Sequence, residues 1–339
     1  MQAVILIGGM GTRLRPFTLH TPKPLLPVLN RPFLEYQFRI LKRYGIKEVI
    51  LCTSYRAEVF RRALGGGASQ GLKIAYVHEK RPLNTGGALK NAEPYLKGTA
   101  LVLNGDVLNA LDVAAFRKFH AARKAEISIA LTRVKDPTQY GLVITDEKGL
   151  VRRFLEKPSW DEVETNTVSA GGYLFEPSVL RHIPAGKAYS LERGLFPERL
   201  LEGGRIAGWV TPGYWIDIGT VGKYLQVHLD ILAGRTPFKP GKGSRLLAGY
   251  DGAVVTAGPG TSVAGFARFT GAVSLGARVS VGKGALLSDC VVLDGARIGD
   301  GARLDRCVVG PSSRVGTHAS LGAGAALAAG SRIGDYSQL

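Results

Sequence analysis

The chain has 339 residues, of which 45% are hydrophobic and 21% are charged, and its formal net charge is +17. A chain of this length is too long for one ordinary hydrophobic core, so two domains are predicted. It contains no run of about 18 uncharged apolar residues, which excludes a membrane-spanning helix. The positive charge suggests nucleic-acid binding, but Lys and Arg are spread along the chain without a basic run of about five or more. We therefore expect no nucleic-acid partner, and an attraction for small phosphate-bearing substrates instead.

The N-terminus MQAVILIGG lacks a charged leader region and is typical of a first β-strand, so we expect a cytoplasmic protein. Cys52, Cys290 and Cys307 are few, odd in number and without metal-ligand spacing. Reduced and mostly buried thiols are therefore predicted.

Residues 1 to about 175 alternate between strand and helix signals, because short apolar runs predict strands and apolar residues at helical spacing predict helices. In chain order these are AVILI (strand), RPFLEYQFRILKRYG (helix), EVILCTS (strand), RAEVFRRAL (helix), KIAYVHE (strand), TGGALKNAEPYL (helix), ALVLNGD (strand) and DVAAFRKFHAARKA (helix). GLVITDEKGLVRRFLEKP predicts a hairpin, and VSAGGYLFEP predicts one more strand. The alternation predicts an α/β fold with a doubly wound, mostly parallel, Rossmann-like sheet.

The composition changes at residues 234–245, where GRTPFKPGKGSR predicts a linker. Beyond it, apolar residues recur at a spacing of six with two changes of frame. They are Val263, Phe269, Leu275, Val281, Leu287 and Leu293, then Val292, Ile298 and Leu304, then Val309, Val315, Leu321, Leu327 and Ile333. This period predicts a parallel β-helix, whose coils bury these side chains only by stacking on one another. A β-sandwich with glycine-rich turns is the alternative. The predicted domains are 1–235 and 245–339.

The stretch GGMGTRLRPFTLHTPKPLLPV directly follows the first predicted strand. Glycines at this point let backbone N–H groups approach an anion closely. The stretch matches neither the dinucleotide-binding pattern nor the P-loop pattern. Four prolines prevent an early helix: Pro16, Pro22, Pro24 and Pro27. They predict a long, extended and stiff loop that carries Arg13 and Lys23 on a restrained frame suited to phosphate binding.

Two aspartates are candidates for a metal site. Asp106 ends an apolar strand, where open α/β sheets bind their ligands, although a turn cap is the alternative. Asp217 stands between apolar residues in WIDIG, and a carboxylate buried there must be paired or bind a metal. Two carboxylates together with substrate phosphates suit Mg²⁺, which keeps several waters and few protein ligands.

The motifs together resemble those of the nucleoside-diphosphate-sugar pyrophosphorylases, the sugar-1-phosphate nucleotidylyltransferases. The resemblance begins at GGMGTRLRPFTLHTPKPLLPV and continues in order through LNTGGAL, LNGDV, YGLV, FLEKP and YWIDIGT. The C-terminal repeats match the left-handed β-helix that many of these enzymes carry. The resemblance implies that a nucleoside monophosphate passes from an NTP to a sugar-1-phosphate with release of pyrophosphate, and that Mg²⁺ is the cofactor.

The resemblance also implies roles for individual residues. Arg13 matches the residue that binds the leaving pyrophosphate, Lys23 matches the lysine that stabilises the α-phosphate, and Asp106 and Asp217 match the metal ligands. The implied nucleotide-binding residues are Gly8, Gly9, Gly11, Thr12, Thr85 and Gly86. The implied sugar-phosphate-binding residues are Tyr140, Gly141, Glu156, Lys157 and Gly171.

The substrate pair is less defined than the reaction. PKPLLPV, FLEKP and the β-helix are similar to mannose-1-phosphate guanylyltransferases, which favours GTP and mannose-1-phosphate. Ser169, Thr220 and the NTGGA loop depart from that pattern, while Pro24 disfavours thymidylyl transfer. Glucose-, muramate- or heptose-1-phosphate, with UTP, ATP, dTTP or GTP, therefore stay open.

Two further readings compete with this enzyme class. β-helices of this kind also occur in acyltransferases, but His318 is the one histidine in the repeats, and we expect it on the coil surface. A non-catalytic regulatory subunit is the other reading, although such relatives tend to lose the lysine or the aspartates that this chain retains. The β-helix then serves contacts in a homo-oligomer rather than chemistry.

Overall fold

The computed structural model describes residues 1–54, 56–241, 243–248 and 252–339. The α-helices in these ranges are α1 (Phe33–Arg43), α2 (Ala57–Leu64), α3 (Asn84–Ala92), α4 (Val113–Ala122), α5 (Phe196–Leu201) and α6 (Val221–Leu232). The strands before α6 are β1 (Gln2–Leu6), β2 (Pro27–Val28), β3 (Arg31–Pro32), β4 (Glu48–Thr53), β5 (Lys73–His78), β6 (Ala100–Asn104), β7 (Val107–Asn109), β8 (Ile127–Arg133), β9 (Gly141–Thr145), β10 (Val151–Glu156), β11 (Thr167–Phe175), β12 (Ile206–Val210) and β13 (Trp215–Asp217).

The strands after α6 are short, and most have two to four residues. They are β14 (Arg245–Leu247), β15 (Val254–Ala257), β16 (Ser262–Val263), β17 (Arg268–Thr270), β18 (Ala272–Leu275), β19 (Ser280–Val281), β20 (Leu286–Ser288), β21 (Val291–Val292), β22 (Arg297–Ile298), β23 (Arg303–Asp305), β24 (Val308–Val309), β25 (Arg314–Val315), β26 (Ser320–Leu321), β27 (Ala326–Leu327) and β28 (Arg332–Ile333).

Contacts between residues divide the chain into two compact units. Unit 1 comprises Met1–Gly9 and Leu34–Trp215, and unit 2 comprises Met10–Phe33 and Ile216–Leu339. The glycine-rich loop and α6 thus belong to the same unit as the C-terminal repeats. The predicted limits of 1–235 and 245–339 rest on a change in sequence rather than on packing, and they stay a prediction. Lys242, in the predicted linker, and residues 249–251 lie outside the described residues.

Unit 1 is built on one sheet in which the order β5-β4-β1-β6 is parallel throughout. Each of these strands is an apolar run, and Ala3, Val4 and Ile5 of β1 are fully buried. Strands covered on both faces by helices require such continuous apolar runs. The predicted α/β fold class with a Rossmann-like sheet is therefore confirmed, and helices α1 to α4 follow the predicted segments.

The sheet continues beyond β6 with antiparallel strands, since β11 pairs antiparallel with β6, β8 and β9, and β9 pairs with β10 as the predicted hairpin. The register between β11 and β8 shifts between Ser169 and Tyr173. Gly171 lies in this irregularity with a φ of 64°, a conformation that glycine adopts without strain. Strand β11 thereby bends in its centre while both of its ends stay paired.

The C-terminal part of unit 2 is a stack of coils with three parallel sheets. From β15 onward, consecutive strands fall into three sheets in turn, as β15-β18-β21-β24-β27, β16-β19-β22-β25-β28 and β17-β20-β23-β26. The repeat residues point inward, and Leu275, Val292 and Val309 are all within a few per cent of complete burial. The prediction of a β-helix is confirmed by this arrangement, and its left-handedness stays a prediction.

Coil length explains the changes of frame in the repeat. The register joins Val263 to Val281, which is 18 residues later, but joins Leu275 to Val292, which is 17 residues later. The coil that contains Leu287 is therefore one residue shorter, so Val292 rather than Leu293 occupies the inward position of its strand. Asp289 follows β20 at this corner, and its Oδ1 accepts a hydrogen bond of 2.9 Å from the Ala272 N–H of the preceding coil.

The glycine-rich loop differs from its predicted extended form. It contains three 3₁₀ turns, at Thr12–Leu14, Phe17–Leu19 and Lys23–Leu25. The prolines do exclude an α-helix, but a single 3₁₀ turn needs only one hydrogen bond between its first carbonyl and an N–H three residues later. Pro24 stands at the start of the third turn, where its missing N–H costs nothing. The expectation of an extended loop was therefore wrong, and its stiffness stays a prediction.

Helix α6 holds this loop in place within unit 2. The Tyr224 hydroxyl donates a hydrogen bond to the Pro27 carbonyl, and the Tyr224 ring lies 5.8 Å from that of Phe17. The Leu29 N–H donates to Nδ1 of His228 at 3.5 Å. The loop is thus fixed by packing on a helix about 200 residues later in the chain, a contact that no local pattern predicts.

All three cysteines are buried free thiols, as predicted. Among the described helices, none combines the length and the apolar character that crossing a lipid bilayer requires.

Candidate active site

The predicted site residues are divided between the two units. Unit 1 contains Gly8, Gly9, Thr85, Gly86, Asp106, Tyr140, Gly141, Glu156, Lys157 and Gly171, and unit 2 contains Gly11, Thr12, Arg13, Lys23 and Asp217. Each group is described within its own unit.

Gly8 follows the carboxyl end of β1. Its carbonyl accepts a hydrogen bond of 2.7 Å from Oγ of Ser54, and a Cβ at this position would lie only 3.0 Å from that oxygen. Glycine therefore lets this backbone approach the residues after β4. Gly9 is exposed, and a Cβ there would meet nothing within 4 Å. Of these two glycines, only Gly8 is needed for close packing within the chain.

Glu79 lies beside Gly8 and was not among the predicted site residues. It follows β5, is only 4% exposed, and accepts a hydrogen bond of 2.9 Å from the Leu83 N–H through Oε2. Its other oxygen, Oε1, has no hydrogen-bond partner among the described residues and would lie 3.8 Å from a Cβ on Gly8. Burial raises the pKa of this carboxyl above its usual 4.5. The sequence signal was a charged residue at the end of an apolar strand in KIAYVHE.

The start of α3 contains the predicted base loop. The Thr85 hydroxyl donates a hydrogen bond of 2.6 Å to Glu192 and accepts one of 2.9 Å from the Leu191 N–H. The N–H of Gly86 donates to the Tyr189 carbonyl at 2.9 Å, and a Cβ on Gly86 would lie 2.9 Å from the same oxygen. Both residues thus bind the segment before α5 in this structure, and their role in nucleotide binding stays a prediction.

Asp106 stands in a tight turn between β6 and β7. The turn needs Gly105, because a Cβ there would lie 2.2 Å from the Ile7 side chain. The Gln37 amide supports the turn by donating to the carbonyls of Asn104 and Val107, at 2.8 Å and 2.6 Å. Asp106 is therefore held at the same edge of the sheet as Gly8, where parallel strands end and α/β proteins bind their ligands.

Four of the predicted sugar-phosphate residues lie together on the β9–β10 hairpin. The Lys157 N–H donates a hydrogen bond of 3.0 Å to the Tyr140 carbonyl, and a Cβ on Gly141 would lie 3.1 Å from Oε2 of Glu156. Burial raises the pKa of Glu156, the neighbouring Glu192 raises it further, and Lys157 counteracts the shift. The hairpin thus presents a half-buried carboxyl beside an exposed ammonium.

Trp215 links this hairpin to Gly171 on β11. The Trp215 ring packs edge-on against Tyr140, with 5.3 Å between ring centroids, and its Nε1 donates a hydrogen bond of 3.1 Å to the carbonyl of Ala170. A Cβ on Gly171 would lie 3.0 Å from Nδ2 of Asn104, two residues before Asp106. Trp215 therefore links the hairpin at Tyr140 to the part of β11 that contains Gly171, within unit 1.

Gly11 shapes the start of the glycine-rich loop in unit 2. Its φ is 63°, and a Cβ would lie 3.1 Å from Cγ2 of Thr18 and 3.2 Å from Cβ of Lys23. Its carbonyl accepts hydrogen bonds of 3.0 Å from the Leu14 N–H and 2.8 Å from the Thr18 hydroxyl. Only glycine satisfies both the backbone conformation and this close packing.

Three cations surround Asp217 at the end of β13. Nζ of Lys223 lies 3.0 Å from Oδ2 of Asp217, and Nζ of Lys23 lies 3.7 Å from Oδ1. A Cβ on Gly219 would lie 2.8 Å from Oδ1 of Asp217 and 3.4 Å from Nη2 of Arg13, so the guanidinium lies nearby. The Asp217 side chain is 14% exposed, and the expectation that a buried carboxylate must be paired is satisfied by Lys23 and Lys223. One carboxylate against three cations leaves a net positive field.

Lys223 was missed by the sequence analysis. It stands in the first turn of α6, where its backbone N–H is 3.3 Å from the capping hydroxyl of Thr220. The cap fixes the direction of this turn, and the side chain reaches back to the carboxylate six residues earlier. A lysine in a helix that starts soon after WIDIGT was the available signal, but its partner depends on the turn between β13 and α6.

The carboxylates can be compared with the needs of Mg²⁺. Hard oxygen donors suit this ion, and one or two carboxylates completed by substrate phosphates and water are a common arrangement. Among the described residues, no group of three or more His, Cys, Asp and Glu side chains could hold a metal without help from a ligand. Asp106 in unit 1 and Asp217 in unit 2 each offer a carboxylate of the kind used in substrate-assisted Mg²⁺ sites, and their joint role as metal ligands stays a prediction.

His318 is exposed at a corner of the β-helix, as expected. Its ring stacks on that of Tyr336, with 5.3 Å between centroids, which accounts for this histidine without a role in catalysis.

Comparisons with known proteins agree with this description of the chain. Residues 2–234 match the family model described as nucleotidyl transferase, and residues 252–337 match the one described as the GMPPB C-terminal domain. Together they span the strand–helix part and the coils.

Curated relatives match over most of the chain. It is 39% identical to the mannose-1-phosphate guanylyltransferase of Mycobacterium tuberculosis, over 88% of this chain and 81% of the relative. It is 37% identical to the probable mannose-1-phosphate guanylyltransferase 1 of Oryza sativa subsp. japonica, over 88% of this chain and 82% of the relative. Among solved structures, HddC from Yersinia pseudotuberculosis complexed with GMP-PN is 29% identical. Its TM-score is 0.58, and the match covers 67% of this chain and 97% of HddC.

Proposed function

The chain belongs to the nucleotidyl transferase family, and from this premise we propose that it transfers GMP from GTP to mannose-1-phosphate, with release of pyrophosphate. The observation that carries the reaction class is the group of Arg13, Lys23 and Lys223 around Asp217. Such a transfer gathers negative charge on phosphates, and fixed cations stabilise it most when they are already in position.

In the reaction, a phosphate oxygen of the sugar-1-phosphate attacks the α-phosphorus of GTP. A new P–O bond forms, the bond between the α- and β-phosphates breaks, and its electron pair leaves with pyrophosphate. Lys23 stabilises the charge on the α-phosphate, and Arg13 binds the leaving pyrophosphate. Lys223 neutralises Asp217 in the free protein and keeps its carboxylate oriented.

Mg²⁺ would be held by Asp106 and Asp217 together with phosphate oxygens, and when bound it supplies charge neutralisation for the triphosphate. Mg²⁺ prefers oxygen ligands, and the carboxylate oxygens of both aspartates are ligands of this kind, which supports the assignment.

The free oxygen of Glu79 supports guanine as the base. Guanine presents two neighbouring N–H donors, at N1 and N2, and a buried carboxylate without a donor of its own satisfies them. Adenine, uracil and thymine lack this pair of donors. Hydrogen bonds from the base would also offset the cost of ionising a buried carboxyl. Glu79 lies beside Gly8, at the start of the implied nucleotide-binding segment.

The sugar-phosphate is assigned to the β9–β10 hairpin. Lys157 binds its phosphate, Glu156 accepts hydrogen bonds from sugar hydroxyls, and Tyr140, Gly141 and Gly171 line the pocket. The similarity to mannose-1-phosphate guanylyltransferases over most of the chain supports mannose-1-phosphate.

The test is a matrix of pyrophosphate release in which GTP, ATP, UTP and dTTP are each combined with mannose-, glucose-, muramate- and heptose-1-phosphate in the presence of Mg²⁺. The proposal predicts one dominant cell, GTP with mannose-1-phosphate. A dominant cell elsewhere would retain the reaction and refute the substrate pair. A blank matrix from folded protein would refute the reaction and favour a regulatory subunit.

A further inference from the structure

Unit 1 has an open recess of about 730 Å³ on the side where its parallel strands begin. Gln2 opens β1, Glu48 opens β4 and Thr99 precedes β6, and all three line it. Gly8 and Asp106 follow the opposite ends of β1 and β6. The recess is therefore separate from the candidate active-site residues of unit 1, and its volume is typical of small-molecule sites.

The two carboxylates that line the recess already have partners. Glu48 accepts a hydrogen bond of 2.8 Å from the Gln2 amide, and its Oε2 lies 3.5 Å from Nζ of Lys97. Oε1 of Glu176 accepts one of 2.7 Å from the Thr99 hydroxyl and lies 3.0 Å from Nε2 of His120.

His120 is a buried polar residue that lines the recess. Its side chain is 7% exposed, and its Nδ1 lies 2.7 Å from the Ser128 hydroxyl. Buried polar groups of this kind are retained when they are fully hydrogen-bonded, and they keep a cavity accessible to charged ligands.

Three further cations line the recess without such partners. Lys47, Arg117 and Lys124 are exposed, and in the part of the chain that the structure describes none of them forms an ion pair with a carboxylate. Cationic side chains that line one cavity repel one another, and an anion bound between them relieves this repulsion. Their arrangement around one cavity is what distinguishes them from the other surface charges.

We propose that the recess is a second small-molecule site, which binds the diphosphate or triphosphate group of an anionic ligand through Lys47, Arg117 and Lys124. Arginine offers paired donors that match phosphate oxygens, and lysine adds point charges. Among the described residues that line the recess there is no Phe, Tyr or Trp on which a base could stack. Recognition therefore depends on the phosphates, whether they are free or carried by a nucleotide.

The experiment is calorimetric titration of inorganic pyrophosphate into the full chain, at low salt and without divalent metal. The proposal predicts two binding events per chain. The triple variant Lys47→Ala, Arg117→Ala, Lys124→Ala should lose one event, or bind at least about tenfold more weakly there. The matched control is Arg62→Ala, Lys118→Ala, Lys148→Ala, which removes three exposed cations of unit 1 outside the recess. It should keep both events.

The proposal would be overturned if every event of the wild-type chain persisted in the recess triple variant, or if both triple variants were weakened equally. If the recess triple variant fails to fold, two single variants on α4 replace the two triple variants. Arg117→Glu changes a residue of the recess and should lose the binding event there. Lys118→Glu changes its neighbour outside the recess and should keep that event. A parallel titration with GDP distinguishes the source of the phosphates, because a nucleotide ligand predicts that GDP also fills the recess. These outcomes do not depend on whether GTP and mannose-1-phosphate are the substrates.

Discussion

Asp217 and Glu79 are carboxylates with low exposure that differ in their partners. Asp217 is paired with Lys23 and Lys223, which compensate its negative charge within unit 2. Glu79 keeps one oxygen without a partner among the described residues, which prepares it for a ligand with N–H donors. Sequence position alone suggested Asp217 as a site residue and gave no reason to prefer Glu79 over its charged neighbours.

Lys23 and Lys157 should affect different kinetic constants. Lys23→Ala should lower kcat by about a hundredfold or more, because it removes a cation that acts on the α-phosphate in the transition state. Its KM for the sugar-phosphate should stay near the wild-type value. Lys157→Ala should mainly raise that KM, by about tenfold, because it removes a contact present before and during reaction. Steady-state kinetics with Lys118→Ala as the control tests both, and the reverse pattern would contradict the assigned roles.

Glu79→Gln should reduce kcat/KM for GTP far more than for ATP, because the amide presents an N–H toward the guanine donors. A fall of about tenfold to a hundredfold corresponds to one unsatisfied polar contact. Competition kinetics between the two nucleotides measures the ratio directly. If the ratio of kcat/KM for GTP to kcat/KM for ATP does not change, Glu79 does not contact the base.

The same substitution should stabilise the free protein in a pH-dependent way. The raised pKa of Glu79 means that folding disfavours its ionised form. The cost is absent well below the usual carboxyl pKa, where the group is protonated in both states, and is complete above the folded-state pKa. Glu79→Gln should therefore raise Tm more at pH 8 than at pH 4, as followed by circular dichroism. An equal change at both values would contradict the shift.

At the scale of elements, the glycine-rich loop depends on one glycine much more than on another. Gly11→Ala should destabilise the protein by about 1–3 kcal/mol, because alanine must adopt a left-handed conformation and overlap Thr18 and Lys23. It should also lower activity, since Lys23 must shift. Gly9→Ala should leave stability within about 0.5 kcal/mol, because a Cβ there meets nothing. Urea unfolding of both variants tests the contrast, and similar losses in the two would contradict it.

The elements of the sheet and the coils were predictable because their periods are repeated and local. Strands β1, β4, β5 and β6 are continuous apolar runs, and the coil positions recur from Val263 to Ile333. The 3₁₀ turns were not predictable, because several backbone conformations satisfy the same prolines. The partners of this loop, Tyr224 and His228, lie in a helix distant in sequence. The approach of Lys223 to Asp217 was missed for a similar reason, as it depends on a turn geometry rather than on a motif.

At the scale of the whole molecule, part of the net charge of +17 is concentrated in two groups of cations. One is the group of cations around Asp217 in unit 2, and the other is the recess of unit 1. Both would attract phosphate-bearing ligands, which is what the net positive charge predicts. The assembly of copies through the β-helix stays a prediction, and sedimentation of the purified chain would measure it.

Acid should destabilise the protein through His228, which anchors the glycine-rich loop. Burial lowers the pKa of this histidine to about 3, so between pH 6.5 and 3 the unfolded chain binds a proton that the folded chain does not. Stability is therefore retained above pH 6.5 and lost as the pH falls, by up to about 1.4 kcal/mol per pH unit. His228→Leu should flatten this dependence between pH 7 and pH 5 in urea unfolding. An unchanged slope would exclude His228 as its source.

We propose that this chain transfers a nucleotide to a sugar-1-phosphate and that Asp106 and Asp217 are ligands of Mg²⁺. The most direct measurement is pyrophosphate release from GTP and mannose-1-phosphate with Mg²⁺, for the wild-type chain and for Asp106→Asn and Asp217→Asn. We expect robust turnover by the wild type and a loss of at least about a thousandfold in each variant, with Tm little changed. Turnover near the wild-type rate in both variants would contradict it.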